Sequence, residues 1–331
     1  DGKRLKVHLN DYFKNTVSEL RKLSNSEKQI NKNEIDINLV NVERKKNDVF
    51  FKNDKESLLV IEPEWLINVT ELAQLDFCER QLFNSRYTLK SRNEAMTRGS
   101  IIHEVFEDIL QRPEDIDGMK EKLGKSFSDR SLEFALDNLD YKGMEDYIKP
   151  HLNKLYQYRT KNPLISHIKD KDVSTESFII NPVLGLKGKI DAVVTDVDGS
   201  RAIELKTGKK RWEWIDGRPT QKITPGHRSQ VQAYSLLMEM KSELKISNPI
   251  IVYSGEETDA SQIGETIEFS YLDKTKSMNK RNKLVLADYL MELDYEKDNA
   301  NKCLKCKDLD VCQNIFSLEK NHNPNNLPKY F

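Results

Sequence analysis

The run Gly185-Leu-Lys-Gly-Lys-Ile-Asp191 continues through Ala-Val-Val-Thr-Asp196 and Val-Asp-Gly-Ser200 to Glu204-Leu-Lys206. Two alternating apolar stretches flank the Asp198-Gly199 pair, a strong short-range signal for a β-hairpin. With Asp198 and Gly199 as the two-residue turn, Val197 pairs with Ser200, and Val193 is expected opposite Glu204. Side chains alternate along a strand. Asp191, Glu204 and Lys206 therefore project from one face, and Leu186, Ile190, Ala192, Val194, Ile203 and Leu205 from the other. The apolar face belongs to a core, and the charged face needs another purpose.

Two carboxylates brought together across a ladder, with an ammonium two residues beyond one of them, make a hard oxygen site suited to Mg2+ or Mn2+. Phosphodiester hydrolysis needs such a site. The ion neutralises the phosphate and acidifies a bound water, while Lys206 orients that water or meets the developing negative charge. The same short pattern also fits a solvated hairpin with a cross-strand ion pair, and by itself it leaves both readings open.

The 331 residues suffice for one large domain or two small ones. Charged residues make up 32%, with 53 basic against 54 acidic and a net charge of -1, which excludes a global attraction to nucleic acid. Local patches must carry any such contact. Candidates are Lys206 to Arg211 with Lys209 and Lys210, Arg44 to Lys46, and the acid-free run of cations from Lys274 to Lys283. No signal peptide, twin-arginine segment or bilayer-length apolar run is present, so the expectation is an intracellular protein with no membrane partner, nuclear in a eukaryote and cytoplasmic in a prokaryote. A first residue of Asp1 rather than Met suggests an excised or processed chain.

Along the chain, Leu5, Leu9, Tyr12, Phe13, Val17, Leu20 and Leu23 have helical spacing as far as Ser24, followed by a loop to Asn33. Short strands are expected at Ile35 to Val42, Asp48 to Lys52 and Ser57 to Ile61. Residues 1–60 thus form an N-terminal helix and a small β module. Thr70 is positioned to cap a helix with Leu72, Leu75, Leu82 and Phe83 on its apolar side and Cys78 near its middle. A second helix runs from about Glu94 to Gln111, ended by Pro113, with His103 beside its apolar stripe.

Residues 113–172 look like a helical insertion. Within it, Gly124-Lys125-Ser126 imitates the end of a phosphate-binding loop, but Met119 stands where the first glycine is required, and the nucleotide-site reading is rejected. Lys209 to Pro219 reads as a basic, aromatic loop in which Trp212 and Trp214 either stack on bases or plug a surface groove. A helix from about His227 to Lys241 carries Gln230 and Tyr234 on one face. Ile250 to Tyr253 and Thr266 to Tyr271 supply further strands, and Leu284 to Leu293 another helix.

Four cysteines occur, Cys78, Cys303, Cys306 and Cys312. The last three form a C-x2-C-x5-C run, and disulfides are not expected in a large intracellular chain. A metal centre completed by Cys78 is the stronger reading over inert thiols. Zinc accepts four thiolates, yet one remote cysteine with a close trio suits a [4Fe-4S] cluster better. The cluster would act as a staple.

In order, Cys78, Gly99-Ser-Ile-Ile-His103, Gly185 to Asp191, Glu204-Leu-Lys-Thr-Gly208, His227-Arg-Ser-Gln-Val-Gln-Ala-Tyr234 and the cysteine run resemble the iron-sulfur nuclease domain of the eukaryotic DNA replication helicase/nuclease family. That family is RecB-like, within the PD-(D/E)xK superfamily, and is related to the CRISPR-associated iron-sulfur exonuclease. The likeness covers about Leu59 to Gln313.

The resemblance implies an α/β fold with a PD-(D/E)xK, restriction-endonuclease-like core, a helical insertion and a cysteine-ligated iron-sulfur staple. It implies Mg2+ or Mn2+ held by His103, Asp191, Glu204 and the Leu205 carbonyl, with Lys206 catalytic and Gln230 and Tyr234 supporting the site and the bound strand. Glu176 is a further candidate acid. Arg228, Lys209, Lys210 and Arg211 are the candidate DNA contacts.

The expected activity is hydrolysis of DNA, in single strands or flaps, by a nuclease domain over residues 61–316, with 317–331 a tail or a linker to an absent domain. A helicase domain or subunit is the expected partner. Two alternatives remain open, a stand-alone exonuclease of the CRISPR-adaptation or phage-defence type and a non-cutting DNA-binding scaffold. The segment from Lys209 to Pro225 is longer than the family pattern leads one to expect.

Overall fold

The computed structural model describes residues 6–25, 35–46, 48–51, 56–82, 93–113, 115–240, 245–290, 303–304, 306 and 308–322. The fold is mixed α/β, with both parallel and antiparallel strand pairs. The chain forms two compact units, one from Asp1–Lys90, Pro182–Leu186 and Tyr271–Phe331, the other from Ser91–Asn181 and Lys187–Ser270.

In the first unit, strand Lys6–His8 pairs in parallel with Asp48–Phe51, which also pairs antiparallel with Val42–Lys45. The amphipathic spacing at the N-terminus therefore spans a strand as well as the helix Lys14–Asn25. Val7 and His8 are drawn into the ladder, and His8 stacks on Phe50. Strand Leu58–Ile61 is fully buried and pairs with Ile37–Val40. Its unbroken apolar run fits burial on both faces.

The helix Val69–Leu75 is capped by Asn68 rather than Thr70. The Asn68 side chain accepts from Thr70 N while Glu71 reaches back to Asn68 N, a reciprocal capping box. Cys78 consequently lies beyond the end of this helix and not near its middle.

Residues 266–271 are not a strand. The last strand ends at Thr266 and a helix runs over Tyr271–Leu290. The basic run in it is structural. Lys274 pairs with Glu56 at 2.7 Å, Lys280 with Asp76 and Lys283 with Glu79. Arg281 is fully buried and donates to the carbonyls of Ile61, Glu62, Trp65 and Gly185. Asn282 bonds the backbone of Leu59 and Ile61. The helix Leu309–His322 runs into the stretch expected as a tail. The remaining expected loop at 26–33, Phe83 and residues beyond 322 lie outside the described residues.

The second unit is built on a sheet in the order Gly264–Thr266, Ile250–Tyr253, Gly199–Lys206, Leu186–Asp196, with Val173–Asn181 also pairing on Leu186–Asp196. Ile250–Tyr253 runs parallel to Gly199–Lys206, and the hairpin partner runs antiparallel. Ala192, Val194, Ile203, Leu205, Ile250 and Val252 pack in one core with Ile101, Ile102, Val105, Phe106 and Ile109 of helix Glu94–Gln111. Each such aliphatic side chain contributes about 1.5–3 kcal/mol on burial. The insertion consists of helices Ile116–Asp129, Ser131–Leu136 and Tyr141–Lys161. Ser126, in the first of these, donates to Glu104 at 2.6 Å.

The hairpin turn is displaced from its expected place. Asp196 pairs with Gly199 and Ala192 with Ile203, so Val197 and Asp198 form the turn. The Asp196 side chain accepts from Asp198 N at 2.8 Å and from Arg201 at 2.7 Å, which fixes the turn one residue early. Gly199 serves a different need. Its φ of +129° and missing Cβ admit the Lys245 carbonyl, which would lie 2.3 Å from a Cβ there. The faces survive a two-residue register change, and the next residues on the two strands beyond the last pair are Asp191 and Glu204.

Candidate active site

The charged face of the hairpin is covered. Helix Pro225–Glu239 packs on the sheet there, with Val231 clustered against Ile251 and Tyr253. Proline in its first turn suits a position whose N–H has no helical partner. Gln230 and Tyr234, four residues apart, both point inward and are buried.

A continuous set of polar contacts results. Lys206 Nζ donates to Glu204 Oε1 at 2.7 Å and to Gln230 Oε1 at 2.9 Å. Gln230 Nε2 donates to Glu204 Oε1 at 2.7 Å and to Tyr234 Oη at 3.2 Å. On the neighbouring strand, Asp191 Oδ2 accepts from Leu205 N at 2.7 Å, and Asp191 Oδ1 lies 3.2 Å from His103 Nδ1. The structure thus gathers His103, Asp191, Glu204, Lys206, Gln230 and Tyr234. Leu205 takes part through its backbone, because its side chain is in the core.

Electrostatics separates the two carboxylates. Burial, followed by the charge of Asp191, pushes Glu204 up to about 7. For Asp191 burial works upward too, but the His103 hydrogen bond and charge, the Leu205 N–H and the Lys206 ammonium outweigh it and hold the carboxyl below its usual range. His103 is raised because its hydrogen bond and attraction to Asp191, aided by Glu204, overcome its own desolvation. A pair of acids pushed apart in this way is a frequent mark of a functional site.

Glu204 is 3% exposed, and its Oε2 is buried with no hydrogen-bond partner. Buried polar atoms are ordinarily satisfied, and a carboxylate oxygen held bare beside a second carboxylate is the donor chemistry a hard cation takes. Among the described residues, no three or more His, Cys, Asp or Glu side chains converge tightly enough to enclose an ion. Carboxylate oxygen is nevertheless the donor type that Mg2+ or Mn2+ takes.

The other expected residues divide. Lys209 pairs with Glu257, Lys210 with Glu265 at 2.7 Å and Arg211 with Glu213, so each already meets a carboxylate. Arg228 is exposed on its helix. Glu176 pairs with Lys189. The four cysteines are free thiols, all in the first unit. Burial raises Cys306, the Asp308 N–H opposes it, and the charges of Asp308, Cys78 and Cys303 add to the rise. Gln81 Nε2 lies 3.6 Å from Cys306 Sγ, joining the segment after Cys78 to the trio. Sulfur is the donor type a cluster takes, but among the described residues the four thiols do not converge into a group that would enclose a metal.

Three features escaped the sequence reading. The stretch expected as a loop, Lys209 to Pro219, is strand from Arg211 on. Arg211–Ile215 and Arg218–Lys222 form an antiparallel ribbon turned by Asp216 and Gly217, at φ +51° and +73°. The Asp-Gly pair was the available signal. Glu256, 2% exposed, accepts from Lys210 N and from Gln221 Nε2 at 2.8 Å. His227 Nδ1 sits 2.8 Å from Tyr253 Oη, and burial, then the Lys206 charge, lowers His227 to about 4.

Comparison with known proteins adds two findings. The family described as DNA replication factor Dna2 matches residues 26–196. The chain is also similar to the Arabidopsis thaliana DNA replication ATP-dependent helicase/nuclease JHS1, at 23% identity over 295 residues. That alignment covers 78% of this chain and 21% of the relative, so the chain spans about a fifth of the protein it matches.

Proposed function

The chain belongs to the DNA replication factor Dna2 family, and from that premise we propose that it is a Mg2+- or Mn2+-dependent nuclease that hydrolyses DNA phosphodiesters in single strands or flaps. The observation that carries this reading is Glu204, buried beside Asp191 and Lys206 with one bare carboxylate oxygen. Asp191, Glu204, His103 and the Leu205 carbonyl would hold the ion, which when bound supplies charge neutralisation and a water of lowered pKa.

The protein's own groups then have separate tasks. Lys206, at 2.7 Å from Glu204, orients the water or meets negative charge on the phosphate. Gln230 fixes Glu204 and Lys206 together, and Tyr234 fixes Gln230. Without the ion, His103 holds Asp191 ionised by hydrogen bonding and charge, whereas as a ligand it would be the neutral imidazole, still hydrogen-bonded to Asp191. Cys78, Cys303, Cys306 and Cys312 would hold a [4Fe-4S] cluster, which supplies a covalent staple within the first unit. JHS1 is named as both helicase and nuclease, which supports a helicase domain or subunit as partner.

The test is cleavage of end-labelled single-stranded and duplex DNA with Mn2+ or Mg2+, using anaerobically purified protein and its Glu204→Ala variant. Cutting of single strands that the substitution abolishes is expected. A protein that binds DNA and retains its cluster yet cuts nothing would overturn the nuclease reading.

A further inference from the structure

The ribbon Arg211–Ile215/Arg218–Lys222 has no evident role in the packing of its own unit. Trp212 and Trp214 are 65% and 78% exposed. Two residues apart on a strand, they share one face, with Pro219 opposite Trp214 and Gln221 opposite Trp212. Neither ring packs against another aromatic ring among the described residues.

The mount of this ribbon is rigid and close to the site. It begins five residues after Lys206. At its root, the buried Glu256 carboxylate ties Lys210 N to the Gln221 side chain, and Lys210 Nζ reaches Glu265. The neighbouring strand end is locked as well, because Ser254 N donates to the Lys206 carbonyl at 3.0 Å. Gly255 lets that loop approach, since a Cβ there would lie 2.6 Å from the Thr207 and Gly208 carbonyls. Even a fully extended chain from Lys206 to Trp212 covers no more than about 22 Å, so the rings stand within a few nucleotides of any phosphodiester at Lys206.

We propose that the Trp212/Trp214 face is a stacking platform for bases of the single DNA strand whose phosphodiester occupies the Asp191/Glu204 site. This deepens the nuclease reading and rests on it. Tryptophan stacks on any base, which suits a strand cut without regard to sequence. Arg218 and Lys222, exposed on the ribbon's other face, add positive charge for the phosphates. Area argues against a protein partner. Two indoles offer on the order of 300–500 Å², which matches two stacked bases and falls short of the roughly 800 Å² per partner of a stable protein interface.

The chain has three tryptophans, and the third, Trp65, provides a reference signal within the first unit. Anisotropy of a dye-labelled thymidine oligonucleotide is titrated with the whole protein in EDTA, for the wild type, Trp212→Ala/Trp214→Ala and Trp212→Phe/Trp214→Phe. Binding by the wild type is expected to quench its tryptophan fluorescence relative to the Trp212→Ala/Trp214→Ala variant, which keeps only Trp65. Affinity should fall at least about tenfold in the alanine pair, with most of it kept by phenylalanine, which still stacks. Equal affinity of the wild type and alanine pair, or no binding by the wild type, would overturn the platform. Mn2+-dependent cleavage is assayed in parallel. Glu204-dependent cutting with binding indifferent to the tryptophans removes the platform alone. Tryptophan-dependent binding without cutting removes the nuclease reading and leaves the platform standing.

Discussion

Replacing Glu204 by Gln tests whether that carboxylate is held in wait for a cation. The folded chain keeps a proton on Glu204 up to about pH 7, whereas the unfolded chain releases it near the ordinary 4.5. Between those values the folded state binds more protons than the unfolded one, so in metal-free protein stability falls as pH rises from about 4.5 to about 7 and stays low above. The gap corresponds to about 3 kcal/mol at pH 8. A Gln side chain is neutral throughout, yet its carbonyl still accepts from Lys206 and Gln230. Urea unfolding in EDTA at pH 5 and pH 8, followed by circular dichroism, is the assay. The Glu204→Gln variant should lose less stability over that range by about 2–3 kcal/mol, and should be the more stable protein at pH 8. Added Mn2+ should raise the midpoint of the wild type, as any ligand of the folded state does, and leave the variant unmoved. Parallel pH dependence in the two proteins, or an equal Mn2+ shift in both, would refute the reasoning.

Lys206→Met should lower Mn2+-dependent cleavage by about 10²–10³-fold while Mn2+ still raises the unfolding midpoint, and a drop below tenfold in a single-turnover assay would remove Lys206 from the chemistry. Arg281→Met strips the donor from four carbonyls, those of Ile61, Glu62 and Gly185, which are buried, and that of Trp65. It should cost at least about 3 kcal/mol, read as a fall in the urea midpoint. Cys78→Ser in anaerobically prepared protein should reduce bound iron and sulfide and abolish the cluster's visible absorption. Unchanged iron content would exclude Cys78 as a ligand.

Strands and helices with a strong local signature were readable from the chain alone. Leu186–Asp196, Ile250–Tyr253 and Glu94–Gln111 carry their alternation or stripe in full view. Boundaries set by tertiary contacts were not readable. The turn moved from Asp198-Gly199 to Val197-Asp198 because the Asp196 carboxylate organises it and Gly199 is spent on the approach of Lys245. The strand expected at 266–271 gave way to a helix whose cations are matched by Glu56, Asp76 and Glu79, acids over 190 residues away along the chain that no local pattern connects to it. The ribbon at 211–222 did have a local sign, Asp216-Gly217, which the density of charge and aromatic residues obscured. Glu256 had none, since its importance lies in what folds against it.

Asp191, Glu204 and Lys206 were candidates by type and spacing, and His103, Gln230 and Tyr234 through the family resemblance, but type and spacing left a solvated hairpin and a reactive one equally admissible. Burial supports the second. A cross-strand pair in water would keep Glu204 hydrated, its carboxyl near the ordinary range and each oxygen satisfied by solvent, with little energetic consequence. Here helix Pro225–Glu239 covers the hairpin's charged face, leaving Glu204 3% exposed and Oε2 bare. A buried acceptor without a hydrogen bond is costly to keep, and Lys206 and Gln230 both spend their contacts on the same oxygen, Oε1. That asymmetry makes sense if the second oxygen has a partner of its own. The covering helix therefore does more than close a core. It buries the ion pair and leaves Glu204 Oε2 without a hydrogen bond, while the Gln230 it carries binds Glu204 Oε1 and is itself bonded to Tyr234.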